Sequence, residues 1–564
     1  MRKLSLLLLL SPMAALAQGA PESIVPPAET QAQKPVSVKP EIVDSLKSPI
    51  PAAVAERPLE APSPDAAGIA DPDGKLNRDS WKGSAFSDIA PLLKRPHYIA
   101  PSLALHRLAF RLAAAPAAIS GGAENAWLET RLNMLLKLGE EKALKDILAM
   151  IAPGNRPTFM DRLLVEQELL KLNTARACEK VAEDIARYQE PFWLKANAFC
   201  LAKNKKPEEA ELALQLLSEQ APEEKPAIVL DEALHKMMGE TVKVAPLKSF
   251  DLPPLELAIA IEAGLSFDPQ IDKENGLITP AAARVLALNS KLSLTTRTQL
   301  AERAFRAGIL SLDQLTALYK SAAIKPEQFT KVTKDKQFPS VPADAWALLF
   351  QLAEKATDAE TGREALIIAL PQFPKDLAAR LFAPKVKAWG LPAAPSNAWK
   401  NFAPSAVALL LGAGEDKDAL LWWKALPQSA LLKPVVGLVA GEEMAGLDDW
   451  LAAQAKEHPD YALKVAAVYS GLGVAVSPKS WQLLSEVEDK GRPANIAVHK
   501  RLKAAADAKR IGEVAALGVS LLSDSGPSGV TAMVLSAVIE AYRAVGLEKE
   551  AKAIAREALL AAIP

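Results

Sequence analysis

Two cysteines are the residues whose spacing most directly predicts chemistry. Cys178 and Cys200 are the only cysteines of the 564-residue chain, and they fall on two successive helical patterns at about 173–188 and 191–204. In an antiparallel helical pair these positions are almost equidistant from the turn, so their side chains should meet. In an oxidising compartment we expect a disulfide between them, with two buried thiols as the alternative.

No other reactive side chains follow a catalytic spacing. The five histidines lie far apart and form no His-x-x-x-His pair, so their spacing does not predict a zinc site. The chain has no phosphate-binding Gly-x-x-x-x-Gly-Lys-Ser/Thr loop. Adjacent glutamates such as Glu208 and Glu209 point about 100° apart on a helix, which prevents them from acting as an acid/base couple. We therefore predict no catalytic residue, no metal site and no cofactor.

Trp422 and Trp423 are the most conspicuous aromatic feature. Neighbouring helical positions cannot both face the core, so we expect one buried tryptophan and one that packs on the next pair of helices. The alternative is a stacking platform for a peptide or a glycan, which makes these two residues the candidate binding surface.

The N-terminus of the chain, which precedes the helical patterns, has the features of a leader sequence. Arg2 and Lys3 precede a leucine-rich run at positions 4–10, and Ala15-Leu16-Ala17 follows. These features predict a signal peptide over residues 1–17 that is cleaved after Ala17. The apolar run is too short to cross about 30 Å of hydrocarbon. We expect export to the periplasm of a Gram-negative cell and no transmembrane segment in the mature chain.

Residues 18–78 are rich in proline and alanine. They contain no Phe, Tyr or Trp, so they offer little apolar surface to offset the entropy of ordering. We predict a disordered linker, which acts as a passive spacer or as a segment that folds onto a partner.

From residue 79 onward, apolar residues recur every three or four positions. This spacing predicts an all-α fold, an irregular α-solenoid of antiparallel helical hairpins. Breaks rich in proline divide it into an N-terminal helical-repeat region at 79–245, a middle helical region at 246–395 and a C-terminal helical-repeat region at 396–564.

Several helix starts share one design: a polar turn, acidic residues in the first turn, and then small and large apolar residues on one face of the helix. Examples are GEEKALKDILAMI at 139–151 and GLEKEAKAIAREAL at 546–559. This design resembles tetratricopeptide-type and Sel1-type repeats, although the full 34-residue pattern does not recur.

The chain also resembles uncharacterised secreted helical proteins of alphaproteobacteria, in the stretches 177–210, 297–319 and 541–560. That resemblance implies a helical fold and an exported location, and it implies no reaction.

Charge and architecture narrow the function. The chain has 66 Lys and Arg against 67 Asp and Glu, which argues against nucleic-acid binding. Stacked helical hairpins form extended surfaces that bind proteins or peptides. We expect a non-enzymatic periplasmic scaffold or adaptor for protein partners of an envelope-associated complex.

Two alternatives remain open. The first is a cell-wall factor, which binds peptidoglycan or regulates wall synthases. The second is an enzyme similar to lytic transglycosylases, some of which carry a long helical superhelix. That second alternative is weaker, because the only Glu-Ser dipeptide, Glu22-Ser23, falls in the predicted linker.

Overall fold

A computed structural model describes residues 64–94, 102–122, 125–152, 156–188, 190–224, 228–247, 252–266, 278–442 and 444–564. The predicted all-α class is confirmed, because these ranges contain 28 α-helices and no β-strand. The predicted signal peptide at 1–17 and linker residues 18–63 lie outside the described residues.

The helices are short and follow one another closely. In the first third of the chain they are α1 Phe86–Lys94, α2 Leu103–Ala114, α3 Ala126–Leu138, α4 Glu141–Met150, α5 Phe159–Leu170, α6 Thr174–Asp184, α7 Pro191–Lys203, α8 Pro207–Gln220, α9 Ile228–Met237 and α10 Pro254–Glu262. The middle of the chain forms α11 Pro280–Leu288, α12 Leu294–Ala307, α13 Leu312–Ser321, α14 Pro326–Thr330, α15 Pro342–Glu354, α16 Ala359–Ala369 and α17 Lys375–Trp389. The last third forms α18 Asn397–Ala413, α19 Asp416–Ala425, α20 Lys433–Ala440, α21 Leu447–Glu457, α22 Pro459–Gly471, α23 Pro478–Leu484, α24 Ile496–Asp507, α25 Ile511–Leu522, α26 Gly526–Gly529, α27 Ala532–Ala544 and α28 Glu548–Ala562.

The sequence marks many of the helix ends directly. The side chains of Ser293 and Asp358 accept hydrogen bonds from first-turn amides of α12 and α16, which satisfies donors that have no partner within the helix. Gly308 and Gly414 end α12 and α18 with φ of 91° and 81°. Only glycine adopts this left-handed conformation without a steric cost, so these two positions stop their helices.

Helix α28 lies at the centre of the described unit. It contacts helices from the start, the middle and the last third of the chain: α2, α17, α18, α20, α22, α26 and α27. Its apolar face belongs to the main core, which runs from Leu76 to Leu559. The arrangement therefore differs from an open solenoid, in which each repeat contacts only its sequence neighbours.

The segment before α1 contacts α3 near the start of the described residues and α25 in the last third of the chain. Leu76 is 2% exposed, and the Asp65 carboxylate accepts from the N–H of Leu128 at 2.7 Å. The N–H of Gly512 in α25 donates to the Ser80 carbonyl at 2.8 Å, and Trp81 packs so closely that no side chain would fit at position 512. Residues 64–78, which the sequence assigns to the linker, thus belong to the folded unit because their few apolar and acidic side chains find partners there.

A second core lies among α5–α10. It runs from Val165 to Leu265 and includes Cys178 and Cys200. The predicted boundary between residues 245 and 246 falls inside this core. The other predicted region boundary, between 395 and 396, stays a prediction.

None of the helices in the described ranges combines the length and the apolar character that crossing a membrane requires.

Candidate binding cavity

A cavity of about 640 Å³ lies between helices from distant parts of the sequence. Its walls come from α2, α17, α18 and α28, and the residues 429, 431–432 and 525–528 also line it. Helix α28 contacts each of the other three helices. The position of this central helix therefore sets the shape of the cavity.

Small residues keep the cavity open. A Cβ atom on Gly412 of α18 would lie 2.5 Å from the Cβ of Ala379 on α17, so only glycine lets the two helices approach this closely. Ala378 and Ala408 line the cavity beside this contact and leave its interior unfilled.

Charged side chains from several helices also face the cavity. The basic ones outnumber the acidic ones; they are Arg107, Arg111, Arg306, Lys375, Arg380, Lys549 and Arg556, against Asp73, Asp376, Glu550 and Glu557. The wall is therefore cationic overall, although the whole chain is almost neutral.

Most of these charges are already paired. Arg306 donates to both oxygens of Asp376, with 2.8 Å from Nη2 to Oδ1. Arg556 donates to Asp416 at 2.9 Å. These ion pairs join α12 to α17 and α28 to α19.

Arg111 forms the largest charge cluster of the wall. Its guanidinium contacts Asp71, Asp73 and Glu550, and the Asp71 side chain is 1% exposed. Burial acts to raise the pKa of Asp71, but hydrogen bonds from Arg111 and from the N–H of Leu76 outweigh it and hold this pKa below its ordinary value. The guanidinium of Arg111 therefore holds both of the least exposed carboxylates of the cluster, those of Asp71 and Glu550.

Glu557 has a structural contact of its own. Its carboxylate accepts from the hydroxyl of Ser102 and, at 2.8 Å, from the N–H of Ala104 in the first turn of α2. Burial raises the pKa of Glu557, and these two hydrogen bonds only partly oppose the shift.

Three cations of the wall have no ion pair among the described residues. Arg107 is exposed and makes no hydrogen bond in the described ranges. Lys375 donates to the carbonyls of Ala561 and Ile563 at the end of α28. Arg380 donates from Nη1 to the carbonyl of Arg306 at 3.1 Å and to that of Phe305. These three side chains are the cations of the wall without a carboxylate partner in the described ranges, and the Arg380 guanidinium also lies over the Phe305 ring, 4.0 Å from its centre.

The predicted disulfide is present and lies outside the cavity wall. It joins Cys178 of α6 to Cys200 of α7, with 5.4 Å between the two Cα atoms. Both cysteines are buried in the second core. The bridge therefore fixes the α6–α7 pair and contributes no reactive thiol.

Trp422 and Trp423 take different environments. Trp422 is 1% exposed, and its ring centre lies 6.0 Å from that of Trp399. Trp423 is half-buried and packs on the main core. Only Trp423 has ring surface left for a ligand, and neither residue lines the cavity.

The histidines of the described residues do not form a metal site. His106 is buried, and its Nε2 lies 2.8 Å from Glu140; His97 lies outside the described residues. In the described part of the chain, no three His, Cys, Asp or Glu side chains come close enough together to hold a metal ion.

Sequence reasoning missed the cavity residues. A partial signal exists, because Arg107 and Arg111 lie one helical turn apart and therefore share a face of α2. Arginines at this spacing usually lie on a solvated surface, and the pattern does not show that α28 and α17 pack opposite them.

Comparison with known proteins does not add a family to this picture. A scan against protein-family models and a search of curated proteins each returned no match for this chain.

Proposed function

We propose that this protein is an exported, non-enzymatic helical-repeat adaptor that binds partners of an envelope-associated complex, with the cationic cavity as its ligand-binding site. One observation carries the proposal. The four carboxylates of the cavity wall are engaged by arginine, lysine, hydroxyl or backbone donors, whereas the groups without an ion pair in the described ranges are Arg107, Lys375 and Arg380.

This distribution favours binding over acid/base catalysis. A general acid must reach the substrate with its proton, and a general base with its lone pair. Glu557 has the raised pKa that is typical of such groups, but its oxygens face Ser102 and Ala104. Asp376 is likewise occupied by Arg306.

Two further features support the exported and repeat-like parts of the proposal. The Cys178–Cys200 disulfide suits an oxidising compartment. Consecutive helices pack as pairs, such as α7 with α8, α11 with α12 and α17 with α18, as helical-hairpin repeats do.

Site-specific photo-crosslinking in intact cells tests this proposal. A photoreactive amino acid replaces Ser405, which lines the cavity, or Lys142, an exposed control position on α4. We expect adducts with an envelope protein from position 405 and not from position 142. Equal adducts at both positions, or adducts with cytosolic proteins only, would contradict the proposal.

A wall-binding role is the second candidate, and the exposed part of Trp423 favours it. Half-buried aromatic rings stack on sugar faces, and Leu421 beside it is 54% exposed. Retention of the protein on isolated sacculi, lost in Trp423→Ala and kept in Leu483→Ala, would support this role. Leu483 is the matched control because it is also an exposed apolar residue, at 44%.

A further inference from the structure

Arg107 and Arg380 leave several hydrogen-bond donors free inside one cavity. Arg380 uses only Nη1 for its hydrogen bonds to α12, and its guanidinium also lies over the Phe305 ring, 4.0 Å from the ring centre. Its Nε and Nη2 make no hydrogen bond among the described residues. Arg107 uses none of its donors there. Guanidinium groups present their N–H donors as a planar fork that matches an oxyacid anion.

The two guanidinium groups also oppose each other electrostatically. Burial lowers the pKa of Arg380, and the charges of Arg107 and Arg306 lower it further, whereas Asp376 and Glu557 act in the opposite direction. An anion bound by both Arg107 and Arg380 would offset the repulsion between them. Lys375, whose pKa is lowered by burial, adds a third positive charge to the same wall.

The remainder of the cavity is apolar. Leu103 of α2, Leu409 of α18 and Leu560 of α28 line it, together with Leu431 and the small residues Ala378 and Ala408. Its volume of about 640 Å³ lies within the roughly 300–1,000 Å³ that is typical of small-molecule sites. A ligand that fills this space needs an apolar body as well as an anionic head.

We propose that the cavity binds a single-chain amphiphile with an anionic oxyacid head, a carboxylate or a phosphate, held between Arg107 and Arg380 with its acyl or alkyl chain along the leucines. This inference rests on the proposed binding function and names the ligand class of the same site.

Calorimetric titration of the purified full chain with matched probes tests the inference. Sodium decanoate and decyl phosphate carry the two candidate heads on the same chain, and all probes are used below their micellar concentrations. We expect saturable binding of one molecule per chain for at least one of them. Decyltrimethylammonium, with the same chain and the opposite charge, should bind at least tenfold more weakly.

Two further comparisons separate the contribution of the apolar chain to affinity from that of the head group. Each methylene removed from decanoate should weaken binding about three- to fourfold, the factor that corresponds to about 0.8 kcal/mol per buried CH₂. Inorganic phosphate should bind at least a hundredfold more weakly than decyl phosphate. Equal affinity for the anionic and cationic amphiphiles, or for phosphate with and without a chain, would overturn the inference.

Variants locate the binding in this cavity. Arg107→Gln should weaken binding at least tenfold without lowering the melting temperature, because Arg107 is exposed and has no hydrogen bond or ion pair to lose among the described residues. Arg380→Gln should weaken binding similarly, and Ala408→Trp should block the chain. Arg176→Gln is the matched control, since Arg176 is exposed on α6. Unchanged affinity in Arg107→Gln and Ala408→Trp would place the ligand elsewhere and overturn the inference.

The two proposals fail separately. An absence of amphiphile binding, with envelope adducts still formed at position 405, would overturn this inference and leave the adaptor function standing. Amphiphile binding that depends on Arg107, without any envelope adduct, would support this inference and overturn the adaptor function.

Discussion

The carboxylate of Glu557 accepts a hydrogen bond from the N–H of Ala104, which lies 453 positions earlier in the chain, at 2.8 Å. The last helix of the sequence thereby supplies an acceptor to the first turn of α2, where amides have no partner within the helix. The second oxygen accepts from Ser102, the N-cap residue of α2. This contact fixes two walls of the cavity against each other.

Glu557→Ala should therefore destabilise the protein. It removes both acceptors and leaves the buried N–H and hydroxyl donors unpaired, so we expect the free energy of unfolding to fall by about 1–3 kcal/mol. Urea denaturation measures this change. Glu540→Ala, at an exposed position of α27, is the control and should change stability by less than about 0.5 kcal/mol. Equal effects of the two substitutions would contradict this role.

Arg111→Met should lower the free energy of unfolding more than Glu557→Ala does, and the size of this loss should depend on pH. The substitution leaves the buried carboxylates of Asp71 and Glu550 without their cation, which typically costs about 3–5 kcal/mol. Because the folded-state pKa of Asp71 is lowered, the contribution of this pair is complete above the unfolded pKa and is lost as pH falls through the folded value. The stability difference between the two proteins should thus shrink from pH 7 to pH 3. A difference that stays constant over this range would contradict the assignment.

Buried Glu302 should make the protein less stable at alkaline pH. Burial raises its pKa from 4.5 to about 8, despite a hydrogen bond from the Tyr319 hydroxyl at 2.7 Å. The folded state therefore holds a proton that the unfolded state releases, so the contribution of Glu302 to stability is complete below pH 4.5 and is lost as pH rises towards 8. Glu166, whose pKa burial raises to about 7, acts in the same direction.

Glu302→Gln tests this dependence. The amide cannot ionise and still accepts from Tyr319, so the fall in unfolding free energy between pH 6 and pH 9 should become less steep. The limiting slope for one group is about 1.4 kcal/mol per pH unit. Glu219→Gln, at an exposed position of α8, should leave the slope unchanged. The same slope in Glu302→Gln and the parent protein would show that Glu302 is already ionised in the folded state.

Reduction of the Cys178–Cys200 disulfide should destabilise the second core. The two cysteines are 22 positions apart, and loop-closure entropy assigns a bridge of this span about 3 kcal/mol. Hydrogen exchange should accelerate in α5–α10 after reduction and much less in α28. The Cys178→Ala/Cys200→Ala variant controls for the reductant and should not respond to it. Two alkylatable thiols in the untreated protein would refute the bridge.

Trp422 and Trp423 should respond differently to truncation. Trp422→Ala opens a cavity in the main core, so we expect a loss of about 3–5 kcal/mol in unfolding free energy. Trp423→Ala removes a half-buried ring and should cost markedly less. Denaturant titration of both variants checks this order, and the reverse order would contradict the burial of Trp422.

The sequence allowed the local features to be predicted. Helical periodicity indicated the all-α class, and the pattern at 139–151 corresponds closely to α4 at Glu141–Met150. The disulfide could be predicted for the same reason, since one tight connection determines where Cys178 and Cys200 lie on adjacent helices. These features depend on residues that are close in sequence.

The cavity depends on contacts between distant segments. Periodicity shows that α28 has an apolar face, but it does not identify which helices cover that face. Arg107 and Arg380 lie on helices that are far apart in the sequence, so their positions in the chain do not show that they line one cavity. At residues 64–78 the proline-rich composition predicted a disordered linker. The segment instead packs on the folded unit through specific contacts of Asp65 and Leu76.

Because α28 contacts helices from all parts of the chain, the fold can be completed only after α28 has been made. During synthesis α2 and α17 are made long before α28. The surfaces that they bury against α28 therefore stay exposed until α28 has been made. Sequence-distant pairing of this kind slows folding, because loop closure precedes the contacts that reward it. A chain that stops before Glu548 would leave uncovered the surfaces of the seven helices that α28 contacts, and exposed apolar surface of this kind promotes aggregation.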